Sequence, residues 1–133
     1  MSLIRLSLIM IGFVIYASSQ ASAGGGGGTS LYVSLDPAFV VNVNDGTRVR
    51  HMQISLQVKL KQADFAAYIA EHDPAIRHAM VMLFSGQETS RLKTAAGKQE
   101  LMNEALLAIQ QVLEENIGNT AIDAVYFTDL IVQ

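Results

Sequence analysis

The sequence predicts an α+β domain, with a small, mostly antiparallel sheet and helices packed on one side of it. Residues 52–61 alternate apolar and polar side chains, the pattern of a strand with one buried and one solvated face. Residues 96–116 instead repeat their apolar side chains at helical spacing. The elements follow the order strand, strand, helices, strand, which indicates an α+β arrangement and not an alternating α/β one.

The first folded segment, residues 31–43, is rich in β-branched and aromatic side chains and contains an Asp-Pro pair at 36–37. Because proline cannot donate to a sheet ladder, we expect a break at this pair, before the main part of the strand. The Asn-Asp-Gly sequence at 44–46 is a strong tight-turn signal. This turn should join the segment to the alternating strand as an antiparallel hairpin.

Helical spacing begins after residue 61 and predicts a first helix within 62–71. A second helix should open with Asp73 as its N-cap and Pro74 in its first turn, and end at Ser85-Gly86. A short helical turn over 88–92 and the long helix over 96–116 follow, with Gly118 suited to stop the latter. The apolar face expected of the second helix consists of Ile76, Met80, Val81, Leu83 and Phe84.

The last strand is predicted over residues 121–132. Its apolar side chains occupy both odd and even positions, which indicates a strand covered on both faces over much of its length. These residues are Val125, Tyr126, Phe127, Leu130, Ile131 and Val132.

Composition excludes several classes of protein. The chain has 133 residues, room for one domain, and a formal net charge of −3 with scattered Lys and Arg. Duplex nucleic acid and anionic lipid both require concentrated positive charge, so neither is an expected partner. Cysteine is absent, which excludes a disulfide framework, a thiolate metal site and a thiol nucleophile.

Residues 1–23 have the order of a secretory signal: Arg5, an apolar run over 6–17, and an Ala-Ser-Ala ending at Ala23. The run is shorter than the roughly 20 apolar residues of a spanning helix. We predict a signal peptide cleaved after Ala23, with a short uncleaved membrane anchor as the alternative. Residues 24–30 contain five consecutive glycines and predict a flexible linker, because a phosphate loop would need a strand before it and a helix after it. Residues 31–133 are the predicted folded domain.

The histidines and their neighbours do not form a recognisable metal motif. Two of them are six residues apart across the Asp-Pro break, which is not the spacing of a helical ligand pair. Asp73 and Arg77 are four residues apart and could form an ion pair along the second helix. The three histidines are His51, His72 and His78.

Candidates for catalysis are equally weak. The carboxylate pairs Glu100/Glu104 and Glu114/Glu115 are expected on the solvated face of the long helix rather than in an acid–base site. Ser85 lacks the glycine two residues to each side that a nucleophile elbow requires. We therefore predict no catalytic, cofactor-binding or metal-binding residues, no cofactor and no small-molecule substrate, and we expect the protein not to be an enzyme.

Several segments, taken together, resemble one protein family. They are Tyr32-Val33, Leu35-Asp36-Pro37, residues 39–42 (Phe-Val-Val-Asn), the strand 51–61, residues 73–77 (Asp-Pro-Ala-Ile-Arg), Ala96-Gly97-Lys98 leading to Leu101, and residues 125–133 (Val-Tyr-Phe-Thr-Asp-Leu-Ile-Val-Gln). The chain resembles the FliL family of flagellar basal-body-associated proteins over residues 31–133.

The resemblance implies a stomatin-like periplasmic domain that assembles into homo-oligomeric rings around the ion-driven stator units at the flagellar basal body. It implies roles in flagellar rotation, motility and chemotaxis, without enzymatic activity, on the periplasmic side of the bacterial inner membrane. Family members usually carry a basic cytoplasmic tail and a full transmembrane helix. This chain departs from that pattern with Arg5 alone and a short apolar run, so membrane contact depends on the segment 1–23 remaining uncleaved.

Two functions therefore stay open. The first is a motor-associated protein that modulates stator units. The second is a free periplasmic protein-binding module of the same family that does not reside in the motor. A third, an envelope hydrolase, lacks a recognisable site in the sequence.

Overall fold

A computed structural model describes residues 30–133 of the chain. The predicted signal peptide or anchor, residues 1–23, and nearly all of the linker lie outside the described residues. The elements are β1 (Tyr32–Ser34), β2 (Phe39–Asp45), β3 (Arg48–Leu60), α1 (Phe65–Glu71), α2 (Asp73–Phe84), α3 (Thr89–Leu92), α4 (Ala95–Ile117) and β4 (Ile122–Val132). The predicted α+β class is confirmed.

Strand β3 is the centre of the sheet and pairs antiparallel with β1, β2 and β4. β1 and β2 lie end to end along one of its sides, and β4 runs along the other. The predicted break at the Asp-Pro pair is confirmed, since residues 35–38 separate β1 from β2. The hairpin is also confirmed: Asp45 pairs with Arg48 around a two-residue turn, and Gly46 has a φ of 62° there.

One face of this sheet forms the core. The even-numbered residues of β3 from Met52 to Leu60 are buried, and α2 and α4 supply the side chains that cover them. Phe84 of α2 packs edge-to-face on Phe39 and on Phe127, with ring centroids 5.9 Å apart in both pairs. The fully buried hydrophobic residues of α2 and α4 are Ile76, Met80, Phe84, Leu101, Ala105, Ile109 and Leu113. Among the described helices, none has the length and apolar character needed to cross a membrane.

The start of α2 differs from the prediction. Asp73 is the first helical residue, and the N-cap is His72, with no side-chain cap bond. Val81, expected on the buried face, is 41% exposed because the row that meets the sheet runs through Ile76, Met80 and Phe84 at intervals of four. The predicted stop of α4 is confirmed, since Gly118 caps it in the left-handed conformation.

Strand β4 also differs from the prediction, since it is not covered on both faces. Its register against β3 shifts twice, at Thr128 and at Asp123, where one extra residue stands opposite the β3 ladder. At each bulge the side chains of β4 that point toward the core change from odd-numbered to even-numbered positions, or the reverse. The apolar residues at mixed parity therefore fall mostly on one face, toward the core, while Tyr126 and Ile131 stay exposed.

The two edges of the sheet differ in their hydrogen bonding. The chain after α2 runs beside β2, where the Gly86 amide donates to the Asn42 carbonyl and the Asn44 amide to the Gln87 carbonyl, both at 2.8 Å. Within residues 30–133, no strand pairs with the outer edge of β4. The two bulges of β4 disrupt the regular spacing of hydrogen-bonding groups along that edge. Bulges of this kind reduce edge-to-edge association in natural sheets.

The first turn of α4 lies in close contact with α3. The Thr94 hydroxyl caps α4 by accepting the Gly97 amide at 2.9 Å, and Gly97 is buried against the backbone of Arg91. A Cβ at position 97 would overlap the Arg91 carbonyl group. The Arg91 guanidinium then reaches along α4 and pairs with Glu104 at 2.7 Å. Glycine at this position therefore permits the α3–α4 junction.

We expect Gly97→Ala to lower the free energy of unfolding by about 3 kcal/mol, because the obstructing atoms are backbone and cannot swing aside. Helix propensity alone predicts the opposite sign, a gain of about 1 kcal/mol. Denaturant unfolding of the purified chain distinguishes the two, with the exposed neighbour Lys98→Ala as a control expected to stay within about 0.5 kcal/mol of the wild type. A Gly97→Ala variant as stable as wild type would contradict the close contact.

Candidate functional site

The face of the sheet opposite the helices, here called the open face, is uncovered among the described residues. Side chains alternate along a strand, so burying the even positions of β3 turns its odd positions outward. From position 51 onward these outward residues are polar and mostly uncharged: His51, Gln53, Ser55, Gln57 and Lys59. The clean alternation that builds the core therefore also builds a continuous polar surface.

Apolar side chains flank this polar strip on both neighbouring strands. Val40 and Ile131 lie opposite Gln53 from the two sides, and they are 65% and 40% exposed. Tyr32 and Tyr126 are 45% and 44% exposed, and their ring centroids lie 6.3 Å apart across β3. Solvent-accessible aromatic side chains set among neutral polar groups are typical of protein–protein contact surfaces.

A polar cluster holds the β2–β3 turn to α3. The buried Thr89 hydroxyl donates to Asp45 Oδ1, and the Arg50 guanidinium donates to Asp45 Oδ2, both at 2.7 Å. These bonds, that from Thr89 first and that from Arg50 second, lower the pKa of the Asp45 carboxyl, with a smaller contribution from the charge of Lys93. These bonds join the β2–β3 hairpin to α3, which gives the cluster a structural role.

Asp45→Asn should lower the denaturant midpoint at neutral pH. A carboxyl whose folded pKa is depressed contributes stability above its unfolded pKa and loses it as pH falls through the folded pKa. The difference between wild type and variant should therefore narrow below about pH 4. Unfolding midpoints measured from pH 7 to pH 2.5 test this, with Asp129→Asn on the open face as the control. A midpoint difference independent of pH would show that the charge of Asp45 does not matter.

The histidines singled out in the sequence lie apart. His51 lies on the open face at the start of β3, where its backbone exchanges hydrogen bonds with Gln133, His72 lies at the α1–α2 junction, and His78 is exposed on α2. Within residues 30–133, no three His, Asp or Glu side chains converge as a metal site would require.

The carboxylate pairs and Ser85 occupy structural positions. Glu100 and Glu104 are exposed and both face Arg91, at 3.6 and 2.7 Å. Glu115 accepts a hydrogen bond from Gln111 on the same helix. The Ser85 hydroxyl donates to the Val81 carbonyl at 2.7 Å and so serves the last turn of α2.

The ion pair considered for Asp73 and Arg77 is not formed. Arg77 instead donates to the Pro37 carbonyl and lies over the Phe39 ring, with its guanidinium carbon 4.3 Å from the ring centroid. The residue thereby ties α2 to the break between β1 and β2. Helical spacing alone favours Asp73 as the partner of Arg77. In the folded chain, Arg77 contacts an aromatic ring and a carbonyl oxygen at the same time.

Sequence reasoning did not identify the tyrosine pair of the open face. The sequence signal in this region is the mixed parity of apolar residues in the last strand, and by itself it predicts burial on two faces. Because the bulge at Thr128 shifts the register between Tyr126 and Ile131, the exposed residues stand at even and at odd positions. No periodicity in the sequence marks them as a set.

Comparison with known proteins gives the family. The family model described as flagellar basal body-associated protein FliL matches residues 32–133. The chain belongs to the FliL family. This FliL-family chain is 27% identical over 99 residues to the flagellar protein FliL of Aquifex aeolicus, covering 74% of the chain and 59% of that relative. It is 28% identical over 103 residues to the flagellar proteins FliL of Escherichia coli K12 and Shigella flexneri, covering 77% of the chain and 65% of each relative. The matched part thus spans about three-fifths of the length of these FliL proteins.

Proposed function

We propose that this FliL-family chain is a non-enzymatic protein of the flagellar basal body that modulates the stator units and thereby affects flagellar rotation, motility and chemotaxis. The observation that carries the proposal is the family match over residues 32–133, since the family is described by its association with the basal body and not by a reaction. A protein of this kind acts through its contacts, and the open face offers an exposed surface suited to them.

The proposed location is the periplasmic side of the inner membrane. The Arg5 start, the short apolar run and the Ala-Ser-Ala sequence ending at Ala23 support export of residues 31–133 behind a glycine linker. The same features favour the second candidate function, a free periplasmic protein-binding module, because cleavage after Ala23 would release the domain from the membrane. Residence in the motor then depends on contacts made by the folded domain itself.

Deleting the gene should reduce swimming speed and soft-agar spreading without abolishing filament assembly. A contact shifts an equilibrium only by its different affinity for the two states, so a modulatory defect is expected rather than loss of the organelle. The defect should deepen in viscous medium, where more torque is required. Speed, spreading and filament number are measured in deletion and complemented strains.

The result separates the two candidate functions. Unchanged motility at every viscosity would favour the free periplasmic module. A deletion strain without filaments would indicate a role in assembly, contrary to the modulator proposal. Complementation with Glu88→Gln, an exposed substitution away from the open face, controls for expression and should restore wild-type swimming.

We also propose that the chain forms homo-oligomers through the open face. Ile131→Lys places a charge beside the polar strip, where a neighbouring copy would have to bury it, and should shift light scattering of the purified chain toward the monomer. Leu107→Lys is the matched control, because Leu107 is a 65% exposed residue of α4. Equal effects of the two substitutions, or a wild type that is monomeric at every concentration, would contradict self-association through this face.

A further inference from the structure

A concave surface lies near the end of β3 that is remote from the tie at Asp45, between α1 and the end of α4. This groove, here called the α1–α4 groove, has a volume of about 540 Å³. One wall carries Phe65 and Tyr68, whose ring centroids are 6.2 Å apart at an angle of 50°. The polar residues of its lining are Glu71, His72, Asn116 and Asn119.

The electrostatics of the groove favour a cation. The 23-residue helix α4 ends there, and a helix C-terminus carries a partial negative charge together with carbonyl groups that lack a helical partner. Neither α4 nor α1 has a basic residue in its last turn. Their last turns instead contain Glu114, Glu115 and Glu71.

The groove lining contains no lysine or arginine side chain. The Lys61 ammonium is not part of the lining, and it donates to the Thr120 hydroxyl. His72 lines the groove and serves as the cap between α1 and α2. Glu71 is exposed, so its carboxylate can reach a ligand without a change of fold. The groove therefore combines negative charge with an aromatic wall.

Arginine fits this combination better than lysine. A guanidinium can stack on an aromatic face while its planar set of N–H donors reaches a carboxylate, whereas an ammonium is a compact, strongly hydrated charge. Asn116 donates through Nδ2 to the Val112 carbonyl at 2.7 Å, which leaves its amide oxygen to accept. The chain already uses such stacking where Arg77 lies over Phe39.

We propose that the α1–α4 groove binds an arginine side chain of an exposed peptide segment of a partner protein, with the guanidinium stacked on Tyr68 and paired with Glu71. The groove is separate from the open face, so the chain would hold two partners, or two parts of one, at once. The proposal does not rest on the flagellar function, because peptide binding to the purified chain tests it without a motor.

The test is an NMR titration of the full chain with a terminally blocked Gly-Arg-Gly peptide. Saturable shifts should be confined to amides of the groove. The same peptide with citrulline, a neutral isostere of arginine, should bind about tenfold more weakly, because it lacks the charge-assisted bond to Glu71. Glu71→Gln should weaken arginine binding by a similar factor, and Tyr68→Leu should weaken it through loss of the aromatic face.

Glu88→Gln, the same change at an exposed glutamate outside the groove, should leave binding unchanged. Thermal unfolding of each variant verifies that the fold is intact. Equal affinity for citrulline and arginine would overturn the charge recognition. Equal affinity for a Gly-Lys-Gly peptide would overturn the assignment to arginine. Absence of saturable binding at millimolar peptide, or wild-type binding by Glu71→Gln, would overturn the site.

Discussion

The fold depends on the strict alternation of β3, because this strand pairs with every other strand and supplies the floor on which the helices pack. Its even residues from Met52 to Leu60 are buried beneath α2 and α4, so a slip of one residue in its register would exchange the core with the solvated side. The buried aromatic cluster around Phe84 spans β2, α2 and β4. Pairing with β3 thus positions the other strands, and packing on its buried face positions α2 and α4.

The same constraint creates the open face. A strand that buries the side chains of one parity exposes those of the other, and from position 51 onward the exposed side chains of β3 are polar and mostly uncharged. The bulges of β4 then complete the surface, because they keep the inward row apolar while turning Tyr126 and Ile131 outward. Core packing and the interaction surface are consequences of one register, and a substitution that removed a bulge would disturb both.

Charged groups divide into two sets. Asp45 and Arg91 are engaged by specific partners and tie the α3 region to the hairpin and to α4. Glu71, at the end of α1, instead lines a groove with an aromatic wall, where the C-terminus of α4 also lies. The first set therefore has a structural role, whereas a helix C-terminus with no basic residue in its last turn is stabilised by an external cation.

Local rules in the sequence determined the α+β class, the hairpin around Gly46, the break at residues 36–37 and the end of α4 at Gly118. Each follows from backbone restrictions or from side-chain period, which act over a few residues. Only the tertiary structure decided the bulges of β4, the partner of Arg77 and the need for glycine at position 97. These depend on the register of β3 against β4, on the position of the Pro37 carbonyl and on the approach of the Arg91 backbone. The tyrosine pair and the α1–α4 groove belong to the same class, because residues distant in sequence meet there only after the sheet and helices have packed.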